Sequence, residues 1–185
     1  HSLKRFGFCQ KTGICLPGEG PGRHTPPEEW NDIYSTTSVS MGYEVQISPI
    51  QLATAFASLV NGGNLWSPRL IDRYARGDEV IRKPPRLIRN SVKPETSAMM
   101  RQILLRTVNE GTGRYLKMKG FEFGGKTGTA QIPAPDGGYV FPDGTKHYMA
   151  TFAGMIPADD PQLSMIIVTQ QPTAGAYTGG AVSGP

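Results

Sequence analysis

Apolar positions recur along this chain with two periods, and the change from one to the other divides it. The helical period appears first, from Ser48 to about Val60. Ser48 is a good N-cap, Pro49 suits the first helical position, and Gln51 completes a capping box. Ile50, Ala53, Ala57 and Val60 mark one face, and Leu52, Phe56 and Leu59 widen it, so the helix should be buried on most sides. Asn61-Gly62-Gly63 ends it. A second helix is expected from about Pro94 to Glu110, with Met99, Met100, Ile103, Leu104 and Val108 at helical spacing and Gly111-Thr112-Gly113 as its stop. Strand patterns follow at Phe121 to Ile132, Tyr148 to Ile156 and Leu163 to Gln170. The Met165-Ile166-Ile167-Val168 run suggests burial on both faces of the last strand. The connection 133–147 has room for a small hairpin around Tyr139-Val140-Phe141.

The remaining segments are punctuated by breakers. Residues 1–47 are turn-rich, with Leu16-Pro17-Gly18-Glu19-Gly20-Pro21-Gly22 at their centre and no useful helical period. Residues 64–90 suit short strands and loops; Arg82-Lys83-Pro84-Pro85-Arg86 reads as a solvated basic turn. Helices in one stretch and strands in another predict an α+β fold, with helices packed on an antiparallel sheet.

Composition narrows this little. The length of 185 residues suits one domain, and a 38% hydrophobic share is enough for a core. Gly (23) and Pro (16) make it loop-rich without reaching the level that signals disorder. The net charge of +4 mildly favours anionic surroundings such as wall polymers or phospholipid heads, with plain solubility the commoner reason, and no arginine-rich arm or aromatic-basic stripe supports nucleic-acid binding. Cys9 and Cys15 have no second Cys or His pair nearby for zinc. Free thiols are expected, with a local disulfide as the alternative in an oxidising compartment. No apolar run reaches the roughly 20 residues of a membrane helix, and no signal peptide opens the chain. Both ends read as cut from within a longer protein.

The chemistry centres on Gly125-Lys126-Thr127-Gly128-Thr129. Gly120 through Thr127 matches the literal phosphate-loop spacing. Its context fails: Phe121-Glu122-Phe123 is bulky and strand-like, and Gly128, Pro133 and Pro135 forbid a useful helix downstream. On a strand the same residues make better sense. Gly128 lets another backbone approach, Lys126 offers a positive charge, Thr127 and Thr129 offer hydroxyls to a carboxylate, and a strand N–H can serve as half of an oxyanion hole. Alone, Lys-Thr-Gly is a common tripeptide.

Its surroundings give it specificity. Glu110-Gly111-Thr112-Gly113 followed by Gly125 to Gln131 resembles class B penicillin-binding proteins, as do Gly7-Phe8 through Thr12-Gly13-Ile14 and Leu16 to Glu19. The same holds for Ser40-Met41-Gly42-Tyr43 running into Ser48 to Ala53. Phe152-Ala153-Gly154 and Ala176-Tyr177 through Gly179-Gly180-Ala181 look like the family's later strand segments. These blocks stand in family order across nearly the whole chain. Lys-Thr-Gly is one of three family marks; the other two, S-x-x-K and S-x-N, are absent from this sequence. In the family both lie upstream of the Leu16 region.

The resemblance implies a penicillin-binding-protein/serine β-lactamase-like transpeptidase fold, with residues 1–185 as the C-terminal part of one domain. The S-x-x-K and S-x-N segment and the final helix would lie outside it. It implies a peptidoglycan D,D-transpeptidase acting through a serine acyl-enzyme, on stem peptides and β-lactams, with no metal or cofactor. This fragment alone is expected to be inactive. Lys126 and Thr129 would be its catalytic contribution, and Thr127, Gly128 and Thr129 would bind substrate. Implied partners are the upstream segment of the same protein and division or elongation proteins. The implied location is the extracytoplasmic face of a bacterial membrane, anchored by an N-terminal helix not in this chain. Two rivals stay open: a catalytically degenerate scaffold of the same fold, and a phosphate-loop nucleotide-binding protein.

Overall fold

The structure, a computed structural model, describes residues 2–185. Its contacts divide the chain into two compact units, His1–Pro94 and Glu95–Pro185.

The first unit is built of short pieces. Helix α1 (Ser2–Arg5), strand β1 (Arg23–His24), helix α2 (Ser35–Ser40) and strand β2 (Val45–Gln46) interrupt the turn-rich segment, with a 3-10 turn at Pro27–Glu29. None carries enough apolar periodicity to show in the sequence. Helix α3 (Pro49–Val60) is the expected capped helix: Gln51 N–H donates to Ser48 Oγ, and Ser48 N–H donates back to Gln51 Oε1. No residue from Ile50 to Val60 is exposed. Its most buried positions are Gln51, Ala55, Phe56, Ser58 and Val60, so two polar residues displace Ile50, Ala53 and Ala57 from the centre of the buried face. Each is satisfied. Gln51 Nε2 donates to the Gln10 and Pro21 carbonyls at 2.7 and 2.8 Å, and Ser58 Oγ donates to Ala55 O and accepts from Ser91 Oγ. Four short strands follow: β3 (Asn64–Trp66), β4 (Arg73–Arg76), β5 (Glu79–Arg82) and β6 (Leu87–Asn90). They pair as two antiparallel ribbons, β3 with β6 and β4 with β5.

The second unit holds helix α4 (Pro94–Asn109, all but its first residue) and strands β7 (Gly124–Gln131), β8 (Tyr148–Ile156) and β9 (Leu163–Gln170). The strands form one antiparallel sheet in the order β7-β8-β9; the short turn between β8 and β9 predicts their pairing, and β7 joins β8 across the long connection. Four expectations need correction. The buried stripe of α4 is Ser97, Leu104 and Val108, while Met99 and Ile103 are exposed, because helical spacing fixes a stripe but not which stripe is covered. Strand β9 is an edge strand with Leu163, Met165 and Val168 exposed, so its apolar run does not mean burial on both faces. The segment around Tyr139-Val140-Phe141 forms turns closed by Gly137 N–H to Ala134 O and Gly144 N–H to Phe141 O, not a hairpin of strands. Ala176 to Ala181 is not a strand: its end forms the helical turn α5 (Gly179–Val182). The α+β class stands. No helix of the described residues is long and apolar enough to cross a membrane.

Candidate functional site

Strand β7 carries all four residues singled out from the sequence, and its two halves meet different surroundings. Gly124 and Gly125 are buried. A methyl group on Gly125 would lie 2.5 Å from Phe152 Cζ and 2.7 Å from the Ala153 carbonyl, so packing alone demands glycine there. On Gly128 the nearest atom to such a methyl is Thr151 Cβ at 3.6 Å. Nothing within the described residues requires a glycine at 128.

The ladder decides what β7 can offer. The β7–β8 register runs unbroken from Gly124↔Met155 to Gln131↔Tyr148. One step further, Ile132 N–H donates to the His147 carbonyl at 2.9 Å. Antiparallel strands alternate their hydrogen-bonding direction, so the even-numbered amides of β7 turn toward β8. The odd-numbered ones, Thr127 and Thr129, have their N–H groups on the free edge of the sheet. A strand ending in this way, with no following helix, is not a phosphate loop; the next element is β8.

Side chains alternate too. Thr127 and Thr129 share one face. Thr127 Oγ lies 2.8 Å from Thr112 Oγ, and Thr129 Oγ accepts from Gly179 N–H at 3.1 Å. Both threonines line a cleft of about 830 Å³ together with Glu110 to Thr112, Arg114, Thr178 and Gly179. Lys126 and Gly128 belong to the opposite face. Lys126 is exposed, and its ammonium donates to the Thr127 carbonyl. A second cleft of about 430 Å³ lies along β8 and β9, lined by Met118, Phe123, Met155, Leu163 and Met165. It is mostly apolar and touches none of the four residues.

Sequence reading missed the other wall of the larger cleft. In the sequence Glu110 to Gly113 marks a helix stop and part of a family string; in the fold it places Thr112 against Thr127. Two glycines shape that wall: Gly111 and Gly113 each meet the Thr107 carbonyl so closely that only glycine fits easily, at 2.9 and 3.2 Å for an added methyl. A side chain flanked by two such glycines is the one the turn can present. Gly179, expected in a strand segment, instead opens α5 and is buried where a methyl would strike the Thr151 and Gly128 carbonyls.

Elsewhere, Cys9 and Cys15 are free thiols, and burial pushes the Cys9 thiol up from its ordinary value. Ser40 ends α2 and Gly42 follows it with φ +92°.

The family model for the penicillin binding protein transpeptidase domain matches residues 1–185. Stage V sporulation protein D of Bacillus subtilis is 37% identical over 188 residues, covering 99% of this chain and 28% of that protein. The peptidoglycan D,D-transpeptidase FtsI of Escherichia coli K12 is 34% identical, covering 100% of this chain and 29% of the relative. Among solved structures, penicillin binding protein 3 of Mycobacterium tuberculosis complexed with aztreonam superposes with TM-score 0.81 at 31% identity, over 92% of this chain and 39% of that one. Its complex with ampicillin gives 0.82. The chain thus spans less than a third of the length of these curated relatives. On the match over its full length and on these relatives, the chain belongs to the penicillin binding protein transpeptidase family, among its class B members.

Proposed function

We propose that this chain is part of a peptidoglycan D,D-transpeptidase and supplies the strand wall of its active site. One observation carries the reading. Strand β7 directs the Thr129 N–H to a free edge beside the hydroxyls of Thr127 and Thr129, at a glycine that packing does not need.

The chemistry follows from that edge. A serine, with a lysine as base, is supplied by a part of the full-length protein outside residues 1–185. Its Oγ attacks the penultimate D-Ala carbonyl of a stem peptide and gives up its proton to the base. The developing oxyanion accepts from the Thr129 N–H and the serine's own N–H. The C–N bond to the terminal D-Ala breaks, and that amine takes the proton. The amine of a neighbouring stem then attacks the ester, forms the cross-linking amide and frees the serine. Thr127 and Thr129 hold the terminal carboxylate. Lys126 supplies positive charge and donates toward the S-x-N segment. Gly128 lets the acyl chain lie close to the strand. A β-lactam carries a strained amide beside a comparable anionic group, a carboxylate in ampicillin and a sulfonate in aztreonam, and leaves an ester that resists resolution. The Mycobacterium tuberculosis relative, solved with aztreonam and with ampicillin, supports this. Division or elongation proteins are the proposed partners, and the outer face of the bacterial membrane the proposed location.

The test is fluorescent-penicillin labelling of the full-length protein and of residues 1–185 alone. The full-length protein should be labelled on the serine of its S-x-x-K, and the isolated chain should stay dark. A full-length protein that takes no label overturns the enzyme reading in favour of a scaffold.

A further inference from the structure

The two threonine hydroxyls of β7 face the same arithmetic. Each has one proton to donate, while a carboxylate only accepts. A hydroxyl whose neighbour donates to its oxygen keeps its own proton free for a carboxylate, whereas one that donates to that neighbour has none left. Thr129 has such a donor, because Gly179 N–H reaches Thr129 Oγ at 3.1 Å. Thr127 has one candidate, the Thr112 hydroxyl at 2.8 Å, and either oxygen of that pair can be the donor.

We infer that Thr112 is a positioning residue for substrate carboxylate binding, donating its proton to Thr127 Oγ so that the Thr127 proton points at the carboxylate. This rests on the transpeptidase reading above. Thr112 is held in place for the task. Gly111 and Gly113 N–H both donate to the Thr107 carbonyl, at 3.1 and 3.0 Å, and fix the turn that follows α4. On its other side, the Thr112 carbonyl packs against Gly180, where a methyl would lie 3.0 Å away. With the turn clamped at both ends, the hydroxyl does not have to be ordered when substrate arrives, and the lost rotamer freedom is not charged to binding. The two hydroxyls of the strand are then primed by different donors, one from a backbone and one from a side chain. Only the second can be removed by substitution.

The experiment measures acylation of the full-length protein by benzylpenicillin and by its methyl ester, which lacks the anionic carboxylate, each in competition with a fluorescent penicillin. Thr112→Val should slow acylation by benzylpenicillin about tenfold, as expected for a weakened hydrogen bond to a charged group. It should leave acylation by the ester nearly unchanged. Thr112→Ser should restore the wild-type preference. In a Thr127→Val background, Thr112→Val should have no further effect. Equal slowing of both probes, no slowing of either, or full additivity with Thr127→Val would each overturn the proposal. Failure of the wild-type protein to be acylated at all would instead count against the transpeptidase reading.

Discussion

The two units of this molecule use polar side chains in opposite ways. In the first, polar side chains are taken up in holding loops. Gln51 ties its helix to the Gln10 and Pro21 carbonyls, Ser35 Oγ bonds Glu44 at 3.0 Å, and Glu19 gathers Thr12 and Gly13. In the second, backbone ladders and close-packed glycines hold the sheet, and polar groups are left facing outward at the edge of β7. Where order comes from the backbone, side chains are free for chemistry. Where side chains supply the order, they have none left to offer. Substitutions in the first unit should therefore cost stability, and those at the outward residues of the second should cost activity.

Lys126→Ala is expected to break the second half of this comparison most visibly. Removing the charge should lower the acylation rate of the full-length protein by about 10²–10³-fold, the scale of losing one preorganised electrostatic group. Its melting temperature should not move, since Lys126 is exposed and bonds only to its neighbour's carbonyl. A large drop in melting temperature would show the lysine to be structural.

Gln51→Ala tests the first half. It removes a fully buried side chain and leaves the part-buried Gln10 and Pro21 carbonyls without their donor, which should cost on the order of 1–3 kcal/mol in denaturant unfolding. The folded fraction should be acylated at the wild-type rate. Next in size is a paired test within β7 itself. Gly125→Ala should destabilise by about 1–3 kcal/mol through overpacking against Phe152. Gly128→Ala should leave stability within about 0.5 kcal/mol and slow acylation instead. Equal stability losses at the two glycines would erase the distinction between a packed half and an open half.

How much of this was legible in the sequence follows the same division. Helix α3 was readable because Ser48, Pro49 and Gln51 announce a cap through local chemistry. The strands of the second unit were readable because their alternation is long. The short strands and helices before Pro49 were not, since two- to six-residue elements set by side-chain clamps leave no period. The burial errors at Met99, Ile103 and Met165 share a cause: periodicity shows that a stripe exists, while what covers it depends on the rest of the fold. Lys126 through Thr129 could be found by motif. Thr112 could not, because its role depends on a tertiary approach between a helix end and a strand.

The smallest expected effect concerns Glu19, whose clamp is open to solvent. Its carboxylate accepts from Thr12 Oγ at 2.5 Å, Thr12 N–H at 2.6 Å and Gly13 N–H at 3.1 Å. The Thr12 hydroxyl, followed by these amides and nearby Lys11, holds the carboxyl below its ordinary value. A pKa depressed on folding means that the folded state favours the ionised form. The clamp is therefore intact above the ordinary glutamate range. It weakens as pH falls below that range and is lost once pH passes below the depressed folded value. In an NMR titration the Thr12 and Gly13 amide shifts should move together with the Glu19 carboxyl, at a midpoint below that of an exposed glutamate. In Glu19→Gln they should stay flat over the same interval. Titration of Glu19 at the ordinary value would mean that the loop is held by its glycine and proline geometry alone, and the loop-holding role of polar side chains in the first unit would then rest on Gln51, Ser35 and the Ser58–Ser91 pair.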